Sequence, residues 1–206
     1  MKEYPSISRD VRYGVPVYAF DKIDGSNIRA EWRRKKGRFY KFGSRTVLMD
    51  SGHPFLGEAV PLIQEKYEES MCRLFEKNRW HEATAFFEFF GAQSFAGWHV
   101  LDEPHDVVLI DVKPFKHGIL NPDEFIDIFG PLGIPRPVYR GNMNHEVEEE
   151  IRASKMPGVT YEGVVCKMKV QGKQQNPEMF KVKTRAWIDR LKEKCGDNKE
   201  LFNKLL

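Results

Sequence analysis

Val15 to Ser44 constrains the fold most, because it reads as three successive strands with only short connections between them. Val15 to Phe20 is an apolar run; Ile28, Ala30 and Trp32 alternate with polar residues; Arg38 to Ser44 returns after a basic turn at Lys35-Lys36-Gly37. The first connection, Asp21-Lys22-Ile23-Asp24-Gly25-Ser26-Asn27, sets a lysine two residues from a carboxylate between rigid elements. If Val15 to Lys22 is a strand, Tyr18 and Phe20 share a face with Lys22, and burial against them would lower its pKa. A lysine that has lost its proton can attack carbonyl carbon or phosphorus. The same residues also suit a plain hairpin, with Asp24-Gly25 as the turn and Lys22 a solvated strand end.

The 206 residues suffice for one substantial core, so a single domain over 1–206 with a short helical tail is expected. With 41% hydrophobic and 31% charged residues the composition is that of a soluble globular protein, and no apolar run is long enough to span a bilayer. Met1-Lys2-Glu3-Tyr4-Pro5 has no signal-peptide core. Cys72, Cys166 and Cys195 are odd in number and far apart, which suggests neither a disulfide framework nor a zinc site and suits a reducing cytoplasm.

Charge is unevenly spread. Residues 29 to 45 carry Arg29, Arg33, Arg34, Lys35, Lys36, Arg38, Lys41 and Arg45 against Glu31, a net +7, and residues 181 to 206 carry +4. The total is +3, so the remainder carries −8. Two basic patches on an acidic body suit a polyanion partner, although solvated basic hairpins are common.

Further along, Pro54 to Asn78 has helical spacing of apolar residues, and Thr84 to Gly91 reads as a buried strand. Glu88 shares a face there with Phe86 and Phe90, where an unpaired carboxylate is costly. Asp106 to Val112 reads as a strand, Asn121-Pro122 as a helix start, Pro131 to Pro137 as a connection and Glu146 to Ala153 as an acidic surface helix. In Tyr161 to Met168, alternation puts Glu162 with Val164, Cys166 and Met168. In Phe180-Lys181-Val182-Lys183 it puts both lysines on one face, able to grip phosphates. Trp187 to Leu205 suggests closing helices broken near Gly196.

Three lysines (Lys22, Lys181, Lys183) and three carboxylates (Asp24, Glu88, Glu162) at strand ends are what lysine-based phosphoryl transfer requires. The carboxylates can hold magnesium while the cations neutralise a triphosphate and its departing pyrophosphate. Each pair could instead be a structural salt bridge. There is no GxxxxGK[ST] loop and no GxGxxG turn after a strand.

In order and spacing these residues resemble the ATP-dependent RNA ligases of the covalent lysine nucleotidyltransferase superfamily. Lys22-Ile-Asp-Gly resembles motif I, Ser44-Arg45-Thr46 motif Ia, Glu88-Phe-Phe-Gly motif III, Glu162-Gly-Val-Val motif IV and Lys181-Val-Lys183 motif V. Gly25-Ser26-Asn27 and, more weakly, Tyr4-Pro5-Ser6-Ile7 are similar to the nick-sealing branch. The resemblance implies an α+β, ATP-grasp-like ligase adenylation fold of two antiparallel β-sheets flanked by helices, without an OB domain. It implies that Lys22 takes AMP from ATP, that AMP passes to an RNA 5′-phosphate, and that a 3′-hydroxyl displaces it. Asp24, Glu88 and Glu162 would organise Mg2+ or Mn2+ and the ribose; Asn27 and Arg45 would contact AMP or the 5′-phosphate. Val165 would pack on adenine, and Lys181 and Lys183 would touch the α-phosphate.

Two departures stand out. The family's adenine-stacking aromatic in motif IIIa has Val107 as its nearest equivalent in Asp106-Val107-Val108-Leu109-Ile110-Asp111. Only 23 residues follow Lys183 and 21 precede Lys22, too few for the accessory domains of DNA ligases, capping enzymes or many RNA ligases. The expectation is a minimal RNA ligase acting in RNA repair on nicked duplex or single-stranded ends, with no membrane association and with room for a partner protein to supply the missing domain. The alternatives are a minimal DNA ligase, a capping-like transferase, or a nucleic-acid-binding module without turnover.

Overall fold

A computed structural model of the chain describes residues 3–92, 103–170, 172 and 175–206; Met1 and Lys2 of the N-terminal reading lie outside them. The strands are β1 (Pro16–Lys22), β2 (Ser26–Arg33), β3 (Arg38–Gly43), β4 (Leu48–Met49), β5 (Glu82–Phe90), β6 (Asp106–Pro114), β7 (Pro137–Asn142), β8 (Gly163–Lys167) and β9 (Met179–Lys183). They form a four-stranded sheet in the order β7-β1-β8-β9 and a five-stranded sheet in the order β4-β3-β2-β5-β6. Every pairing between these strands is antiparallel. The N-terminal arm adds one parallel bridge, Ser8 to Phe180, at the β9 edge. With its helices this is the expected α+β architecture of two antiparallel sheets.

The first connection is not the plain hairpin that its residues also suited but a crossing between sheets. β1 belongs to the four-stranded sheet and β2 to the five-stranded one, so residues 23–25 carry the chain from one to the other. Gly25 makes the crossing tight: a Cβ there would lie 2.3 Å from the carbonyl oxygen of Phe89. The β2–β3 pair is the real hairpin, closed by a 3-10 turn at Arg34–Lys36 and by Gly37 at φ +62. Its basic patch is smaller than composition suggests, because Arg29 is 1% exposed and donates to the Ser44 carbonyl at 2.7 Å.

Helices cover the outer faces. α1 (Ala59–Ile63), a π-helical turn (Gln64–Glu68) and α2 (Glu69–Lys77) run on in sequence, and Ile63, Tyr67, Met71 and Phe75 pack with Ile28, Ala30, Trp32 and Phe87 of the five-stranded sheet. The expected start at Pro54 is instead a turn in which His53 Nδ1 accepts from the Phe55 and Leu56 amides. α3 (Pro122–Phe129) begins with Pro122 in its first turn, followed by Asp123 and Glu124, which suit the positive helix end. Its Phe125 and Phe129 link Phe20 to Phe75 through a run of ring contacts. α4 (His145–Arg152) is capped by Asn144, whose side chain accepts from the Val147 amide. Its acidic face is exposed, while Val147 and Ile151 bury against Val17, Ala19, Val164 and Val182 behind the four-stranded sheet. α5 (Arg185–Cys195) and α6 (Lys199–Leu205) follow, broken at Gly196 as expected. Among the described residues, no helix is long and apolar enough to cross a membrane.

Candidate active site

The inner faces of the two sheets enclose a cleft of about 610 Å3. It is within the size range of small-molecule sites. Strand register orders one wall into rows. Tyr18, Lys167 and Met179 form the first, Phe20, Val165 and Lys181 the second, and Lys22, Gly163 and Lys183 the third. Rows two residues apart share a face, so every row of this wall carries a lysine among its side chains and the third carries two. On the opposite face Val17, Ala19, Val164, Cys166, Phe180 and Val182 form the core against α4.

Glu162 does not share that core face, contrary to simple alternation. β8 begins only at Gly163, whose φ of +132 turns the chain there; a Cβ at that position would lie 2.0 Å from the Val182 carbonyl oxygen. The turn brings the Glu162 carboxylate between two lysines of the third row. Its Oε2 lies 2.6 Å from Lys22 Nζ and its Oε1 lies 2.9 Å from Lys183 Nζ. Two anchors hold the segment: Thr160 donates to the Asp21 carboxylate through its amide and hydroxyl, and Thr184, the cap of α5, donates to the carbonyls of Glu162 and Tyr161.

The five-stranded sheet supplies the other wall. Asn27 and Glu88 are paired in register across β2 and β5, and both line the cleft with Asp24, Ser44 and Arg45. Ser44 opens the turn carrying Arg45 by donating its amide to the Val47 carbonyl. Val107 is not part of this wall. It is fully buried in the core that α1 and α2 cover, whereas Ile110 lines the cleft and clusters with Val165 and Phe86. Plain alternation gives this: β5 pairs Val107 with the core residue Phe89 and Val108 with Glu88 of the cleft, so Ile110, an odd number of residues on from Val107, lies on the cleft side, as the extra residue of a bulge where Phe86 faces Asp111 and Phe87 faces Leu109.

All nine residues singled out in the sequence (Lys22, Asp24, Asn27, Arg45, Glu88, Glu162, Val165, Lys181 and Lys183) therefore line one cleft. Their electrostatics correct one expectation. Burial pulls the Lys22 pKa down, but the charges of Glu162 and Glu88, the Glu162 hydrogen bond and Asp24 outweigh it, leaving the value above that of an ordinary lysine. For Glu162, burial alone would raise the pKa, yet Lys22 and Lys183 hold it below the usual range. Burial pushes Glu88 up to about 7; Lys22 opposes this, while Glu162 and Asp24 reinforce it. Lys181 and Lys183 are brought down to about 8 by burial, in part through the other ammonium groups nearby.

The expected trio of metal-holding carboxylates is not a ready-made cage. Glu162 is engaged by two lysines, and among the described residues no three His, Cys, Asp or Glu side chains are grouped to hold a metal ion.

Several cleft residues escaped sequence reasoning. Lys167 is 4% exposed at the side chain, pairs with Asp111 at 2.7 Å, donates to the Ile110 carbonyl and lies over the rings of Phe20 and Phe125. Tyr4, reaching in from the N-terminal arm, donates to the other oxygen of Asp111; burial first, then the Asp111 charge, raises its pKa well above that of a free phenol. Alternation places Lys167 on the Val165 face, but nothing local signals that Tyr4 and Asp111 converge on it.

Solved structures of RNA ligases share this two-sheet fold. One is an archaeal ATP-dependent RNA ligase, with a TM-score of 0.66 and 18% identity over 100% of this chain and 56% of that one. A Naegleria gruberi RNA ligase mutant with ATP and Mn superposes with a TM-score of 0.61 and 14% identity over 91% of this chain and 59% of its own. The same ligase with PPi gives 0.60 and 16%, over 88% and 53%. At such identities the shared property is the fold, and the chain spans a little over half of these ligases' length. No protein-family model and no curated protein matches the sequence.

Proposed function

We propose that the chain is a nucleotidyltransferase of the RNA ligase type, joining a 5′-phosphate to a 3′-hydroxyl through AMP carried on Lys22. The observation that carries this reading is the third row of the cleft, where Lys22 and Lys183 flank Glu162 beside the Ile110–Val165 apolar slot. A planar base suits the slot and a polyphosphate suits the lysines. The solved ligases of the same fold, some of which hold ATP, AMP or Mn, support this direction of binding chemistry.

In the first step Nζ of Lys22 attacks the α-phosphorus of ATP. Nζ, an ammonium at rest, must first give up one proton; a P–N bond then forms, the P–O bond to pyrophosphate breaks, and a second proton leaves the nitrogen to water or the departing pyrophosphate. Glu162, hydrogen-bonded to Lys22 at 2.6 Å, is the acceptor within reach for the first proton. Lys181 and Lys183 offset the charge gathered on the phosphates. The AMP then passes to an RNA 5′-phosphate, and attack by the 3′-hydroxyl forms the phosphodiester and expels AMP.

The carboxylates suit a divalent cation brought in with the phosphates. Glu88, whose ionisation burial and neighbouring carboxylates oppose, is where a cation would relieve most charge repulsion, with Asp24 alongside. Mg2+ or Mn2+ so held would supply charge neutralisation at the phosphoryl group.

The test is incubation with α-labelled ATP or GTP and magnesium, followed by a denaturing gel. Label on the protein with ATP supports the proposal. Label with GTP alone would indicate capping-type chemistry, and no label with either would indicate a binding module.

A further inference from the structure

The cationic end of the cleft is already occupied by part of the chain. α6 lies with its C-terminal end at the mouth, where Leu205 lines the cleft. The Leu205 carbonyl accepts from Lys183 Nζ at 3.1 Å, and the Asn203 carbonyl accepts from Arg9 Nη2 at 2.7 Å. Carbonyls of a helix's last turn have no partner within the helix and carry the negative end of its dipole. They therefore offer the two cations a weak version of what phosphate oxygens offer.

Arg9 was not singled out from the sequence, and two contacts make its place firm. The Ser8 amide donates to the Met179 carbonyl and the Lys181 amide donates to the Ser8 carbonyl, so Arg9 follows a residue bonded into β9. Its charge is felt by Lys181. Lys183 is held from behind by the ring of Trp187, 3.5 Å from its centroid.

α6, by contrast, is lightly attached. Leu201, Phe202 and Leu205 pack on the small cluster of Trp187, Leu191 and Cys195, and Gly196 at φ +51 joins α6 to α5. Such an element can leave without disturbing either sheet.

We infer that Arg9 and Lys183 form a subsite for the pyrophosphoryl end of a nucleoside triphosphate, and that the carbonyl end of α6 fills it in the resting protein. The inference rests on the nucleotidyl-transfer reading above. Phosphate wins the exchange because a charge-assisted hydrogen bond is about twice as strong as one to a neutral carbonyl. The apparent affinity is lowered by the fraction of molecules in which α6 is docked.

Calorimetry with ATP, inorganic pyrophosphate and AMP, each with magnesium, tests this on three full-length proteins: the parent, Phe202→Asp and Arg9→Ala. Phe202→Asp loosens α6 and should bind ATP and pyrophosphate several-fold more tightly, with AMP unchanged. Arg9→Ala should lose about tenfold or more for ATP and pyrophosphate but not for AMP. In the parent, ATP should speed amide exchange across residues 199–205, a readout that does not depend on either variant folding. Slower exchange there, which would make α6 a closing lid, overturns the inference. So does AMP gaining as much as ATP from Phe202→Asp, or ATP affinity unmoved in both variants. A parent that binds no ATP overturns the functional reading itself and this subsite with it.

Discussion

Lys22 and Glu162 are hydrogen-bonded side chain to side chain at 2.6 Å, across 140 positions of sequence. The pair ties the end of β1 to the start of β8, and Glu162 is only 5% exposed at its side chain, with Lys183 on its other oxygen.

Glu162→Gln should therefore abolish adenylylation and also destabilise the protein. Removing one partner of a buried ion pair costs on the order of 3 kcal/mol. Because the folded protein lowers the Glu162 pKa, its contribution is present above the unfolded value and is lost as pH falls below it. Melting curves of parent and variant should differ at neutral pH and converge in acid.

Glu88 has the opposite sign. Its pKa is raised to about 7, so the folded state holds a proton that the unfolded state releases near the ordinary glutamate value of 4.5. The stability so gained is present below that value and is lost as pH rises through about 7. Without metal, Glu88→Gln should melt at nearly the parent temperature in acid and above it at pH 8, while losing transfer activity. An activity loss accompanied by a lower melting temperature at pH 8 would mark Glu88 as a structural partner.

The Ile110–Val165 slot makes a separable prediction. Ile110→Ala should raise KM for ATP about tenfold, the equivalent of 1–2 kcal/mol of apolar contact, with little change in melting. Val107→Ala, in the core behind the sheet, should do the reverse. Equal effects on KM would contradict the placement of Val107 and Ile110 on opposite faces of β6.

Polyanion binding is expected at the β2–β3 hairpin. β2 has 8 residues, with Ser26 at the cleft and Arg33 at the far end. The tip thus lies about 23 Å from the cleft, within reach of a bound strand. Replacing Arg33, Arg34, Lys35 and Lys36 with serine should weaken RNA binding and flatten its salt dependence while sparing adenylylation. An unchanged slope would place RNA elsewhere.

Much of this was legible in the sequence because strand alternation is local. The facing of Tyr18, Phe20 and Lys22, and of Lys181 with Lys183, follows from a period of two and holds in the structure. One reading failed where a backbone detail reset that period. The φ of Gly163 moved Glu162 to the cleft; Val107 was assigned by motif position, whereas its pairing with Phe89 puts it in the core and leaves Ile110 at the cleft. Residues 23–25 also suited a plain hairpin turn, because a turn and a sheet-to-sheet crossing share short, Asp-Gly-rich chemistry. The Tyr4–Asp111–Lys167 cluster and the α6 contacts are long-range, and no local pattern announces them. The raised pKa of Lys22 likewise depends on carboxylates that only folding brings near.

The central claim is that Lys22 carries AMP and is needed as a nucleophile in that step alone. The measurement is joined product on a denaturing gel from Lys22→Ala, given either 5′-phosphate RNA with ATP or RNA already adenylated at its 5′-end, alongside labelling of the protein by α-labelled ATP. The account predicts no protein label and no joining of 5′-phosphate RNA, but continued joining of the adenylated RNA. A Lys22→Ala protein that still acquires AMP from ATP would contradict it.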